Sequence, residues 1–160
     1  RRQYHYIFEM DADFSHDPNE LKPMQELLET EADLVVGSRY VKGVNVVNWP
    51  LSRVLLSYFA SVYVRVVTGM PVNDATAGFV GYKRRVLENM DLNSIKFVGY
   101  AFQIELKYKA WIKKYVIKEH PIIFVNRERG NSKMNGSIIW EALFGVLSLR
   151  LNKNRFLKKS

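Results

Sequence analysis

The residues with the clearest chemical potential are two aspartates separated by a single position. Asp11 and Asp13 follow an apolar segment, residues 6–10, whose composition predicts a buried strand. Side chains two residues apart on an extended backbone point the same way, so both carboxylates can share a divalent cation such as Mg²⁺ or Mn²⁺. Taken alone, such a pair fits a solvated turn equally well, with Asp17 capping the helix that follows.

Two other classes of site share part of this pattern. The spacing of oxygen-bearing residues resembles the first half of a calcium loop, but His16 stands where glycine is expected and Lys22 where glutamate is expected. A phosphatase of the haloacid dehalogenase type also has two such aspartates after a strand, the first acting as nucleophile. The sequence has no later acidic motif of the kind such a phosphatase needs, so it stays a minor alternative.

Basic residues at three further places can bind phosphate. Arg39 follows a second apolar strand and is expected at the same sheet edge as the aspartates, where a guanidinium can bind phosphate bidentately. Arg53 and Ser57 lie one turn apart on an otherwise apolar helix, so both can hold an anionic headgroup. Arg127 and Lys133 lie on a glycine-containing loop that can close over a diphosphate. Solvated surface cations remain the alternative interpretation of each group.

The elements that must position these residues follow from caps and periodicity. Strand 6–10, a helix with Asp17 as N-cap and Pro18 at its first position, and strand 32–37 form the strand, helix, strand unit of a parallel α/β sheet. A helix from about residue 50 to 68 ends at Gly69 and Pro71. We also predict a strand at 78–82, a helix at 100–114, a strand at 116–125 and a helix at 137–149.

The second helix has an unusual composition. The rest of the helix is apolar, and four polar residues at steps of four form one stripe: Arg53, Ser57, Ser61 and Arg65. Such a helix is either buried in a core or set against a membrane surface. The uncharged run between Arg53 and Arg65 is shorter than the roughly 20 residues of a spanning helix, so no transmembrane segment is expected.

Length and composition narrow the function classes. With 160 residues, 48% of them hydrophobic, the chain can form one globular domain. The absence of cysteine excludes disulfides and thiolate sites and permits a reducing compartment. The net charge of +8 favours anionic partners such as phosphorylated substrates, anionic lipids or nucleic acid. The first residues carry no initiator Met and no signal-peptide pattern, so we expect a fragment of a longer chain.

Five segments in order carry a resemblance to a known family: residues 8–16, 33–40, 73–79, 99–105 and 127–133. Together they resemble the dolichol- or polyprenol-phosphate mannose synthases of glycosyltransferase family 2. The resemblance implies an α/β GT-A fold with three α/β/α layers, truncated at its N-terminus. Residues 1–160 are then one partial catalytic domain without the N-terminal half that binds the nucleotide base, and residues 137–160 form a C-terminal helix and basic tail.

The resemblance also implies roles for individual residues. It makes Asp11, Asp13 and Arg39 catalytic, with Asp11 and Asp13 as metal ligands. Ser15 stands where many relatives have glutamine, which leaves the third protein ligand open. The remaining roles are acceptor phosphate binding by Arg39, Arg53 and Ser57, and donor binding by Asp74, Gln103, Arg127 and Lys133.

The expected reaction is metal-dependent transfer of mannose from GDP-mannose to a polyprenyl or dolichyl phosphate, with inversion. A lipid monophosphate is largely dianionic at neutral pH, since its second pKa is about 6, and can attack without a general base. The basic tail and the apolar helix predict peripheral contact at the cytoplasmic face of the membrane. The alternatives are transfer of another sugar such as glucose from UDP-glucose, and a non-catalytic basic module for nucleic acid or membrane. The aromatic residues lie at core spacing, which argues against nucleic acid.

Overall fold

The computed structural model describes residues 4–97, 99–126 and 136–158. The strands within these ranges are β1 (Tyr6–Glu9), β2 (Leu34–Ser38), β3 (Val46–Val47), β4 (Val80–Lys83), β5 (Ile117–Pro121) and β6 (Phe124–Val125). The helices are α1 (Leu21–Thr30), α2 (Leu51–Thr68), α3 (Arg84–Glu88), α4 (Gly99–Ile112), α5 (Gly136–Leu151) and α6 (Lys153–Lys158). Every predicted strand and helix is present, although the segment predicted as one strand at 116–125 is divided into β5 and β6.

The main sheet is mixed, with strand order β1-β4-β2-β5. Strand β4 pairs antiparallel with both β1 and β2, and β2 pairs parallel with β5. The predicted strand, helix, strand unit is therefore present, but its two strands are not neighbours because β4 lies between them. The sequence pattern identified β4 as a strand and could not give its partners, since the pairing joins residues far apart in the chain.

Alternation along β2 places helices on both faces of this sheet. Val35 packs in a cluster with Met24 and Leu28 of α1, whereas Leu34 and Val36 belong to a second cluster. The second cluster includes buried residues of α2, α4 and α5, among them Val64, Ile104 and Val146. Successive strand residues face opposite sides of the sheet, so the two clusters lie on its two faces, each between the sheet and one layer of helices. This is the predicted three-layer α/β/α arrangement.

Local sequence explains how the first of these layers is held. Asp17 caps the turn before α1, accepting a hydrogen bond from the backbone N–H of Asn19 at 2.9 Å, and Pro18 opens the turn. In β4, a Cβ at Gly81 would stand 2.5 Å from Cε1 of Phe8. Glycine at this position therefore allows the Phe8 ring to cross the neighbouring strand.

Helix α2 turns its polar stripe toward the protein and its apolar side outward. Ser61 is 1% exposed, Arg65 donates to Asn73 Oδ1 at 2.6 Å, and Leu51 and Phe59 are 71% and 60% exposed. Helix α5, which packs on α2, also exposes large apolar side chains. Within the described ranges, α2 is the single helix that is long and apolar enough to cross a membrane, judged by length and composition. That finding departs from the sequence-based expectation, which counted only the uncharged residues between the two arginines.

Candidate active site

One cavity brings together five of the predicted site residues. Its polar end is formed by the segment after β1, the segment before β4 and the residues following β2, and its apolar walls come from α2, α4 and α5. The predicted residues on its lining are Asp11, Asp13, Arg39, Arg53 and Ser57. Carboxylates, guanidinium groups and an apolar surface therefore meet in one space.

The acidic pair is shaped by a tight turn directly after β1. Asp13 Oδ1 accepts a hydrogen bond from the Ser15 backbone N–H at 3.1 Å and another from the Ser15 hydroxyl. Phe14 reaches this turn with φ of 64°, in the left-handed region that a bulky residue seldom adopts. The strained turn orients Asp13, whereas the side chain of Asp11 is 60% exposed.

Gly78 lies beside Asp11 on the cavity lining. A Cβ placed on Gly78 would lie 3.6 Å from Asp11 Oδ2, which is an ordinary contact distance, and the Asp11 side chain itself is 60% exposed. The exposed carboxylate suits a cation that takes two protein carboxylates and completes its coordination with phosphate oxygens and water, as Mg²⁺ commonly does. Among the described residues, no three His, Asp or Glu side chains converge closely enough to hold a metal ion by themselves. The acidic pair thus fits a site in which both aspartates bind one cation and phosphate oxygens and water complete its coordination.

Arg39 is buried and fixed by an ion pair with Asp74. Its Nε donates to Asp74 Oδ2 at 2.7 Å and its terminal nitrogen donates to Asp74 Oδ1 at 2.6 Å and to Thr76 Oγ1 at 3.0 Å. Burial disfavours the guanidinium charge, but Asp74 outweighs burial and raises the pKa of Arg39. Asp74 is fully buried behind Arg39 and outside the cavity lining. Its observed contact is to Arg39, and contact with a sugar hydroxyl stays a prediction.

The segment that carries Asp74 is itself held by β5. Glu119 accepts from the Asn73 backbone N–H at 2.8 Å and from the Asp74 backbone N–H at 3.0 Å. Asn73 in turn accepts from Arg65 of α2 at 2.6 Å. This network links α2 and β5 to the pair that positions Arg39, so the polar end of the cavity is a connected structure and not a set of separate surface residues.

Arg53 lies on the cavity wall at the start of α2. Its guanidinium stacks over the Trp49 ring at 3.9 Å and donates to Asn126 Oδ1 at 2.9 Å. Ser57, one helical turn further along, also lines the cavity. The two side chains predicted to bind one phosphate are therefore neighbours on one wall. Trp49 was missed by sequence reasoning, although a tryptophan next to the helix-opening Pro50 is a usable signal.

Gln103 lies below the acidic edge and outside the cavity lining. Its side-chain amide donates to Glu9, the last residue of β1, and its carbonyl groups accept from the ammonium of Lys107. Lys107 is fully buried and donates to the Ala77 backbone carbonyl at 2.6 Å. Burial lowers the pKa of Lys107 to about 7, partly opposed by Asp74 and Glu9. Direct contact of Gln103 with the donor stays a prediction.

The predicted donor loop gives no structural outcome. Arg127 and Lys133 lie outside the described residues.

The positions of two histidines are clear in the structure. His120 pairs with Glu20 at 2.6 Å, whereas His16 lines the cavity beside the acidic pair. Sequence analysis assigned His16 no role at this site.

The architecture and site together define a class of protein. A mixed α/β sheet covered by helices on both faces, with a carboxylate pair and arginines at one edge, agrees with the GT-A fold. The family model described as Glycosyl transferase family 2 matches residues 2–91, more than half of the chain. The chain belongs to glycosyl transferase family 2.

Three similar proteins have names that describe related mannosyl transfer activities. The chain is 47% identical over 146 residues to a polyprenol monophosphomannose synthase of Mycolicibacterium smegmatis, covering 91% of this chain and 55% of that protein. It is 43% identical to an undecaprenyl-phosphate mannosyltransferase of Micrococcus luteus, covering 91% and 59%. It is 36% identical to a dolichol-phosphate mannosyltransferase of Pyrococcus furiosus, covering 88% and 39%. The chain thus spans between about two fifths and three fifths of the lengths of these relatives.

Proposed function

We propose that the protein transfers mannose from GDP-mannose to a polyprenyl or dolichyl phosphate, with inversion and with Mg²⁺ or Mn²⁺. The observation that carries this proposal is the single cavity in which the acidic pair, Arg39 and Arg53 meet apolar walls from three helices. A donor diphosphate, an acceptor phosphate and a lipid chain need these three surfaces next to one another. The names of the relatives support the choice of sugar and acceptor.

On the donor side, Asp11 and Asp13 would hold the cation, and Ser15 keeps Asp13 oriented. A bound divalent cation supplies neutralisation of the charge that develops on the departing nucleoside diphosphate. Arg127 and Lys133 are proposed to close over the same diphosphate. The Lys107 ammonium donates a hydrogen bond to the Ala77 backbone carbonyl. This bond holds the segment that ends at Gly78, beside Asp11.

On the acceptor side, Arg53 and Ser57 offer a guanidinium and a hydroxyl on one wall, and both can bind oxygens of a phosphate. Arg39, held rigid by Asp74, orients the attacking phosphate at the sheet edge. Since the acceptor is already a dianion near neutral pH, the chain has no need of a side chain that removes a proton from it. Direct attack then inverts the anomeric carbon.

The outward apolar residues of α2 and α5 are proposed to rest in the cytoplasmic surface of the membrane. The arginines near both ends of α2 are bonded to the domain through Asn126 and Asn73. These bonds tie the helix to the domain along its length, so we place it along the membrane surface and not across it. The acceptor lipid would then reach the apolar walls from the membrane.

The reaction can be tested with the full-length protein, a short polyprenyl phosphate and a panel of nucleotide sugars that includes GDP-mannose and UDP-glucose. We expect mannosyl transfer, a product of inverted anomeric configuration, and a fall of at least about 100-fold in turnover for Asp13→Asn, because a bound cation supplies several kcal/mol. Asp17→Asn is the matched control, since Asp17 caps the next helix and does not line the cavity. A retained configuration would refute direct displacement, and unchanged turnover of the Asp13 variant would refute the metal assignment.

Membrane contact can be tested separately by flotation of the full-length protein with anionic liposomes. Phe59→Ser on α2 should reduce the floated fraction, because its side chain is 60% exposed on the outward side. Ile123→Ser removes an equally exposed apolar side chain, 61%, from the segment between β5 and β6 and serves as the control. Equal flotation of both variants and the wild type would contradict the assigned surface.

A further inference from the structure

The ring of Trp49 contacts both arginines of the proposed acceptor site. Its centre lies 3.9 Å from the guanidinium carbon of Arg53 and 5.4 Å from that of Arg39, and all three side chains line the cavity. A cation within about 6 Å of the centre of an aromatic ring, over its face, is attracted by the negative potential of that face. One indole ring therefore attracts both cations, which lie on the same part of the cavity wall.

The local backbone fixes the position of Trp49. The residue before it, Asn48, has a φ of 60°, in the left-handed region that asparagine adopts more readily than most residues. The residue after it, Pro50, is the N-cap of α2 and restricts Trp49 to extended backbone. The chain is thus constrained on both sides of the indole, at the point where it enters the helix that carries Arg53.

The short sheet formed by β3 and β6 anchors both Trp49 and Arg53. Strand β3 pairs parallel with β6, and the Asn126 backbone N–H donates to the Val47 carbonyl at 3.0 Å. The ring of Phe124 in β6 packs edge-on against the Trp49 ring, with 5.2 Å between their centres. The Asn126 side chain accepts from Arg53 at 2.9 Å. The contact between tryptophan and arginine is therefore held by the protein itself.

Electrostatics explain the use of an aromatic ring at this place. Two guanidinium groups repel each other, and they do so more strongly beside the apolar walls of a cavity than in water. A carboxylate next to Arg53 would offset this repulsion but would also repel a phosphate. The face of an indole attracts the cations without carrying a net charge. Resting on the acceptor site proposed above, we infer that Trp49 is a positioning residue of that site, whose ring holds Arg39 and Arg53 so that both bind one phosphate group.

The test is the KM for a short polyprenyl phosphate, measured with the full-length protein and GDP-mannose, beside kcat and the KM for the donor. Trp49→Leu should raise the acceptor KM about three- to thirtyfold, the range expected for the loss of cation–π contacts, and leave the donor KM unchanged. Trp49→Phe keeps an aromatic face and should recover much of this loss. Trp111→Leu is the matched control, since Trp111 lies under Lys153 at 5.7 Å, beside a different cavity, and should leave the acceptor KM unchanged.

Arg53→Gln separates this inference from the proposed function. If Arg53→Gln raises the acceptor KM and Trp49→Leu does not, the role of Trp49 is overturned and the acceptor site stands. Equal increases in Trp49→Leu and Trp49→Phe would also overturn the role of the aromatic face. If Arg53→Gln leaves the acceptor KM unchanged, the acceptor site is wrong and the inference fails with it.

A binding measurement on the wild type keeps the inference testable if Trp49→Leu does not fold. In protein labelled with fluorotryptophan, the ¹⁹F resonance that is missing from Trp49→Phe belongs to Trp49. This resonance should shift when the short polyprenyl phosphate is added, because the phosphate binds the two cations that contact the ring, whereas the Trp111 resonance should not. A Trp49 resonance that does not move while the phosphate binds would overturn the inference.

Discussion

Lys107 gives the sharpest prediction about stability. Its ammonium is fully buried among the Ala77 and Gln103 oxygens, and burial lowers its pKa from 10.5 to about 7. Below pH 7 the lysine is charged in both the folded and the unfolded protein, and the folded state bears the full cost of burying that charge. Above pH 7 the folded protein releases the proton while the unfolded chain keeps it until about pH 10.5. Stability therefore rises with pH through this window.

The size of the effect follows from the two pKa values. Each pH unit in the window is worth up to about 1.4 kcal/mol, and the gain between pH 7 and 8.5 comes to between about 1 and 2 kcal/mol, because the folded group is only half deprotonated at pH 7. Lys107→Met removes this titration and keeps an apolar chain of similar volume. The free energy of unfolding of the wild type relative to Lys107→Met should therefore increase by about that amount.

Urea denaturation of the full-length protein at both pH values measures this difference. Lys109→Met is the matched control, because Lys109 is also buried on α4 but pairs with Glu105 at 2.7 Å. Groups that titrate elsewhere and do not contact the replaced lysine cancel when the wild type is compared with each variant. A wild-type stability that does not change relative to Lys107→Met, or that falls between pH 7 and 8.5, would refute the assignment of a buried, titrating ammonium.

Two further stability predictions follow from the contacts. Asp74→Leu should lower the free energy of unfolding by about 3–5 kcal/mol, because it leaves the Arg39 charge buried and unpaired. Adding Arg39→Met should recover much of this loss in urea denaturation. Equal losses in the single and double variants would contradict this explanation. Gly81→Ala should lower the free energy of unfolding by about 1–3 kcal/mol, since the new Cβ would meet the Phe8 ring at 2.5 Å. Calorimetry should show a lower Tm that Phe8→Leu partly restores. An unchanged Tm would show that the ring moves freely.

The helices and strands were predictable because their signals are local. Asp17 and Pro18 mark the start of the first helical turn, and Gly69, with φ of 75°, ends α2 as expected. The place of β4 between β1 and β2 was not predictable, because nothing in its short sequence encodes the strands it pairs with. The direction in which α2 faces was also left open between core and membrane, and only packing decides it.

The convergence of Arg39 with the acidic pair was predictable because each follows a recognisable strand, whereas Arg53 and Ser57, inside α2, were assigned to the site through the family resemblance. Lys107 escaped attention because a lysine in a helix normally points to solvent, and its burial depends on the Ala77 carbonyl from a distant segment. His16 was given no role at the site for a similar reason, since the two aromatic rings that enclose it come from other parts of the chain. Partners that are remote in sequence are the common reason for both omissions.

The most direct test of the central claim is mannosyl transfer from GDP-mannose to polyprenyl phosphate by the full-length protein, measured before and after removal of metal. We expect transfer that is lost after chelation and restored by Mn²⁺, since Asp11 and Asp13 line the cavity that also contains Arg53. Transfer that continues at the same rate in the metal-free protein, or no transfer to polyprenyl phosphate from any nucleotide sugar, would contradict it.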